Sequence, residues 1–123
     1  MTLIEAITRC DDQKLNDYTH EEKVEWLSRL DGRIKNDIID THEGAEDVDF
    51  ERYSVNTDQN KELLVPFPYD DLYIHWLHAQ VDYANGEYGK YNNSQVMFND
   101  AYAAFENHYN RTHMPLGSKI NYF

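Results

Sequence analysis

Apolar and polar positions alternate with a helical period over most of the chain and lose that period over one long central stretch. From Tyr88 to Arg111, residues Tyr91, Ser94, Phe98, Ala101, Tyr102, Phe105 and Tyr109 share one stripe, while Asn92, Gln95, Asn99, Glu106 and Asn110 fall well away from it. This is an amphipathic helix with an aromatic core face. Tyr69 to Asn85 carries a wider apolar arc of Leu72, Tyr73, Trp76, Leu77, Ala79, Tyr83 and Ala84, with Ile74 and Val81 at its margin. His75, His78, Asp82 and Asn85 make its narrow polar face. A helix apolar over half its circumference touches more than one neighbour. Asn85-Gly86 joins the two segments, and Gly is the usual residue just past a helix end, so the pair reads as an αα-hairpin.

Upstream, Thr2 and Glu5 form a capping box that opens a short helix to Cys10, with Leu3, Ile7 and Cys10 on one face. Such a helix is too short to stand alone and must be held by packing. Asp11 to Asp17 is polar and reads as a turn. Thr19 and Glu22 form a second capping box, and Glu21, Glu22 and Glu25 place negative charge near the positive end of the helix dipole. Val24, Leu27, Leu30, Ile34 and Ile38 then make one stripe out to about Thr41. Gly32 costs this helix about 1 kcal/mol against Ala, which points to a neutral surface position first and to a close neighbour second. Between His42 and Asn60 the period stops, and Phe50, Tyr53 and Val55 are interleaved with polar residues. A short β-hairpin and an ordered long loop both remain open there, and loops of this length are usually functional or mobile. Pro66 and Pro68 end the stretch, with Asp70 or Asp71 at the cap or first turn of the next helix.

The expectation is an all-α fold. One domain spans 1–123 as a small bundle of about four helices: a short N-terminal helix, one long helix and a C-terminal hairpin. A long acidic loop at 43–66, with room for a short β-hairpin, and a tail at 112–123 complete it. The tail closes on Ile120, Asn121, Tyr122 and Phe123, apolar groups that gain by docking on their own domain or on a neighbour.

Charge narrows the partners. Eleven Lys and Arg stand against 23 Asp and Glu, a formal charge of −12 over 123 residues. Such a surface repels nucleic acid and anionic membrane. Ten Tyr residues set the chain apart from disordered acidic segments, which are poor in aromatics, and raise the expectation of assembly. A single cysteine, Cys10, excludes an internal disulfide framework and fits a reducing compartment. With no signal-peptide pattern and no bilayer-length apolar run, a soluble protein made in the cytoplasm is expected.

Candidate chemistry is sparse. His75, His78 and Asp82, at i, i+3 and i+7, could offer zinc ligands from one helical face, but a solvated polar stripe accounts for the same residues. His42, His108 and His113 add no ligand spacing. Cys10 lies on an apolar face, as an inert buried thiol would. No nucleophile elbow, Walker loop or dinucleotide-binding glycine motif occurs. The acidic run Glu43, Glu46, Asp47, Asp49 and Glu51 lacks EF-hand spacing and reads as a solvated loop. Asn92, Asn93, Asn99, Asn107 and Asn110 enrich the last helix in a mediocre helix former; amide pairing across a subunit interface and plain tolerance at solvent positions explain this equally. No catalytic residue, cofactor or enzymatic activity is expected.

A wider pattern is also present. Leu63-Leu64-Val65-Pro66-x-Pro68-Tyr69-Asp70-x-Leu72-Tyr73-x-x-Trp76-Leu77 resembles a stretch in proteins of phages and prophages of Gram-positive bacteria. So do Gln80-Val81-Asp82-Tyr83-Ala84-Asn85-Gly86-Glu87, Tyr91-Asn92-Asn93, Phe98-Asn99-x-x-Tyr102 and Tyr109-Asn110-Arg111. The whole is similar to the head–tail connector (adaptor) proteins of long-tailed phages, over roughly residues 60–115 and by helix layout alone before them. The resemblance implies a structural virion subunit, assembled in the bacterial host cytoplasm. It would form a ring beneath the portal protein, contact tail or stopper proteins, and line the channel through which genomic DNA passes without specific binding. Contacts would come from the 43–66 loop and the 112–123 tail, naming Phe50, Tyr53, Leu64, Leu116, Ile120, Tyr122 and Phe123. Glu43, Glu46, Asp47, Asp49 and Glu51 would repel phosphates. Three alternatives stay open: an acidic DNA mimic or other protein-binding module, a stopper or tail-completion protein, and a small metal-dependent hydrolase using His75, His78 and Asp82.

Overall fold

In a computed structural model, which describes residues 1–116, the chain is all-helical. The order is α1 (Leu3–Gln13), α2 (His20–Asp37), two single 3-10 turns (Ile39–Thr41 and Ala45–Asp47), α3 (Leu72–Ala84) and α4 (Tyr88–Thr112). Both capping boxes form: Thr2 Oγ1 accepts from Glu5 N, and Thr19 Oγ1 accepts from Glu22 N at 3.1 Å. α1 outruns its expected end by one turn, because Asp11, Asp12 and Gln13 continue the helix on its exposed side while Cys10 stays in the core.

α3 is the central helix and packs on α1, α2 and α4. Leu72, Tyr73, Ile74, Leu77, Ala79 and Val81 are all buried, including the two residues expected at the margin of the arc. From α1 the core takes Leu3, Ala6, Ile7 and Cys10; from α2 it takes Val24, Leu27, Leu30 and Ile34. α4 contributes only Phe98, Phe105 and Tyr109, and its principal neighbour is α3. Gly86, at φ +74°, makes the reversal between α3 and α4, a left-handed conformation that disfavours any residue with a Cβ.

The β-hairpin considered for the central loop does not form; among the described residues there are no strands, only the isolated bridges Thr2 to Glu62 and His42 to Pro115. The physical reason is where the backbone groups go. Leu3 N donates to Lys61 O and Ile4 N to Gln59 O, both at 3.0 Å, while Leu63 N donates to Met1 O at 2.9 Å. Tyr53 N donates to Ser28 Oγ at 2.9 Å. The loop is pinned to the start of the chain and to α2, and its bonds to itself are local turns such as Thr57 N to Ser54 O and Lys61 N to Asp58 O.

Candidate functional site

Polar side chains gather in two places inside the molecule, a buried cluster at α3 and a carboxylate cage beneath the loop.

His75, His78 and Asp82 do not lie on a solvated face, and among the described residues no group of three or more His, Cys, Asp or Glu could hold a metal ion. Asp82 is fully buried and accepts from Lys14 Nζ at 2.6 Å and from Ser94 Oγ at 2.8 Å. Within the expected polar stripe, Asp82 is therefore an internal tie between α3, α4 and the residue that ends α1, while His75 and His78 are half-buried and Asn85 is exposed. His78 Nε2 is buried and has no hydrogen-bond partner among the described residues. Burial, then the charges of Lys14 and His75, hold its imidazole below the usual histidine range. A neutral imidazole tolerates this position better than a charged one. Cys10 is also enclosed, and burial pushes its thiol up to about 11, which leaves little thiolate for nucleophilic work.

The cage centres on Asp31, which lies at 0% exposure inside the stripe of α2. Tyr53 donates its hydroxyl to Oδ2 at 2.6 Å, Tyr73 donates to Oδ1 at 2.5 Å, and Leu64 N donates to Oδ2 at 3.1 Å. Val65 N in turn donates to the Tyr73 hydroxyl at 2.8 Å. No Lys, Arg or His is paired with this carboxylate among the described residues. Burial raises its pKa, against the opposing pull of the three hydrogen bonds. The two phenols are pushed up as well, by burial first and then by the Asp31 charge. The cage clamps the far end of the loop onto α2 and α3.

Tyr53 was expected at an interface. It is 3% exposed and its hydroxyl is spent on Asp31, so it serves the core instead. Phe50 is half-buried, with its ring 5.3 Å from that of Tyr53 and against Gly32, where an added Cβ would sit 3.6 Å from it. Gly32 thus has a neighbour, at ordinary contact distance. Leu64 is half-buried and Leu116 exposed, while Ile120, Tyr122 and Phe123 lie outside the described residues. The acidic run Glu43, Glu46, Asp47, Asp49 and Glu51 is exposed throughout.

The start of the loop is anchored at the C-terminal end of α4. His42, 5% exposed, places Nδ1 2.6 Å from Ile38 O and Nε2 2.7 Å from Asn110 Oδ1. Glu43 N donates to Met114 O and Leu116 N to Thr41 O, both at 2.9 Å. His42 had no role in the sequence reading, yet it joins α2 to α4.

Outside the core, α4 presents Gly89, Asn92, Asn93, Val96, Met97, Ala103, Ala104 and Asn107 to solvent, with Val96 58% and Met97 52% exposed. Lys90 and Arg111 offset Asp100 and Glu106, so α4 is formally neutral in a chain of −12. Of the acidic residues, only Asp31 and Asp82 are buried. A groove of about 670 Å³ runs between the first turns of α2 and residues 52–55 and is lined by Glu21, Glu22, Glu25, Val24, Trp26 and Val55, among others. Arg52 closes it by donating to both carboxylate oxygens of Glu25 at 3.1 and 3.0 Å.

Compared with protein-family models, curated proteins and solved structures, the chain finds no match. The fold and these sites define a small all-α bundle with an acidic exterior and one neutral helix face. No helix among the described residues is long and apolar enough to cross a membrane.

Proposed function

We propose that this protein is a structural virion subunit: a head–tail connector that assembles as a ring between portal and tail and lines the DNA exit channel. The observation that carries the reading is the division of its surface. Formal charge cancels along α4, whose exposed Val96, Met97, Ala103 and Ala104 are suited to contact, while the full −12 belongs to the rest. Neutral faces can meet across subunits; carboxylates facing a lumen repel phosphates and let DNA slide without being trapped. The stretch that resembles phage connectors, roughly residues 60–115, includes α3 and α4. The exposed run at Glu43, Glu46, Asp47, Asp49 and Glu51 suits the lumen. Portal and tail or stopper proteins are the expected partners, within the virion, after assembly in the bacterial cytoplasm. A stopper or tail-completion role would use the same features one level lower in the connector.

Like charges oppose ring closure, so assembly should strengthen as salt screens them. Negative-stain electron microscopy at low and moderate ionic strength, with and without portal rings, tests the reading. Open-centred rings favoured by salt or by portal are expected. Single subunits in every condition would overturn it. Exposed carboxylates also occur on α1, at the start of α2 and along 37–51, a spread that favours an acidic DNA mimic as the second reading. A mimic would stay unassembled and displace DNA from a basic DNA-binding protein.

A further inference from the structure

A second groove, of about 400 Å³, opens between α2 and α3, and its size falls in the range of ligand-binding clefts. Arg29, Arg33 and Asn36 wall it from α2, and Trp76 and Gln80 from α3. None of its lining residues is acidic, in a chain of −12. Elsewhere Lys14, Lys23, Lys35, Arg52 and Lys90 each lie against a carboxylate. Arg33 has no hydrogen bond or ion pair among the described residues, and its guanidinium carbon lies 5.9 Å from the centre of the Trp76 ring. A ring face at that distance attracts the guanidinium and leaves its N–H fork free to donate. Trp76 is itself held, because its indole N–H donates to Trp26 O at 2.8 Å. Arg29, one turn before Arg33, meets Glu25 through Nε at 3.1 Å, and Glu25 is shared with Arg52. The Gln80 amide has no hydrogen bond among the described residues.

We propose that the groove between α2 and α3 binds a small dianionic oxyanion, a phosphate monoester or a dicarboxylate, between Arg33 and Arg29. Residues four apart on a helix have Cβ atoms about 5–6 Å apart, so the two guanidiniums reach one ion together. Two such groups match a compact anion with two negative charges, and the planar fork of Arg fits oxyanions bidentately. A long polyanion would have to lay further charges along a surface of −12 and is excluded on that ground. Arg33 supplies the fork, Arg29 the second positive charge and Gln80 an amide N–H. Asn36 already gives one N–H to Asp37 and keeps the other. Glu25 competes with the anion for Arg29 and so limits its affinity. The site uses neither α4 nor the acidic run, and stands apart from the connector reading.

Titration of the full chain with phenyl phosphate, succinate and, as the control, sodium chloride at constant ionic strength is the test. Arginine Nε–H and indole N–H signals in proton–nitrogen correlation spectra report the site, and Trp76 emission is read in a Trp26→Phe variant. That substitution keeps the main-chain carbonyl that holds Trp76. Saturable shifts of the Arg33 and Trp76 signals are expected, with a Kd of about a millimolar. The tighter of the two dianions assigns the phosphate or the dicarboxylate as the source. Arg33→Gln, at an exposed position, should weaken binding about tenfold or more, and Arg33→Lys, which keeps the charge and loses the fork, should fall between. Glu25→Gln should strengthen binding several-fold by releasing Arg29, a gain that a merely structural role for Glu25 would not produce. Circular dichroism matching wild type shows that the variants are folded. Shifts no larger than those with chloride overturn the proposal, as does binding unchanged by Arg33→Gln.

Discussion

Replacing Tyr73 by Phe removes one oxygen from the molecule and should unsettle the loop, α2 and α3 together. The hydroxyl donates to a fully buried Asp31 at 2.5 Å and accepts from Val65 N at 2.8 Å. Loss of a hydrogen bond to a charged group costs about 1.5–3 kcal/mol, and leaving a buried N–H unsatisfied costs about 1–3 kcal/mol. The expected destabilisation is about 3–5 kcal/mol, against a total stability of about 6–18 kcal/mol for a chain of this length. At about 4 °C per kcal/mol, the Tm should fall by roughly 12–20 °C. Tyr53→Phe removes only the bond to Asp31 and should lose about half as much. Urea and thermal unfolding followed by circular dichroism measure both variants. The pH dependence supplies an independent arm. Because burial raises the folded-state pKa of Asp31, the folded chain binds the Asp31 proton more tightly than the unfolded chain does. Its contribution to stability is complete below the unfolded value of about 3.9 and is lost as pH rises through the folded value. Stability of wild type relative to Asp31→Asn should therefore grow as pH falls through that window. A Tyr73→Phe loss under about 1 kcal/mol, or one equal to that of Tyr53→Phe, would refute the cage as a stabilising unit.

Lys14→Met strips the cation from Asp82, which is fully buried, while the lysine side chain keeps 23% exposure. Solvent access to the lysine reduces the effect, and a loss of about 2–3 kcal/mol in urea unfolding is expected, with Ser94 still donating to the carboxylate. Gly32→Ala places a methyl at ordinary contact distance from the Phe50 ring, in a helix interior, and should stabilise by about 0.5–1 kcal/mol in the same assay.

Elements governed by repeating contact with a single core were legible in the sequence. The stripes of α2 and α4 ended where expected to within a few residues, and both capping boxes formed, because local periodicity and local hydrogen bonds decide them. The polar stripe of α3 was misread because its meaning depends on Lys14, 68 residues away in sequence. Nothing local in His75-x-x-His78-x-x-x-Asp82 says that a lysine and a serine from other elements will meet it. The sequence left a hairpin and an ordered loop open for the central stretch for the same reason: its backbone partners are the start of the chain and side chains of α2, which no local pattern encodes. Asp31 did carry a signal. It sits four residues after Leu27 and three before Ile34, an acid inside an apolar stripe, and such a residue must find buried donors. The groove lay outside local reading altogether, since α2 and residues 52–55 become neighbours only in the folded chain.

The pairing of residues 41–43 with 114–116 has a mechanical consequence. A pull applied beyond Leu116 does not run straight into α4. It loads the Leu116 N to Thr41 O and Glu43 N to Met114 O bonds, and through them His42, Ile38 and the end of α2. Tension on the chain beyond this point is thus shared between two helices that are far apart in sequence. The acidic turn at Ala45–Asp47 rides on the junction, so strain entering from one side would be felt as movement of the carboxylates on the other.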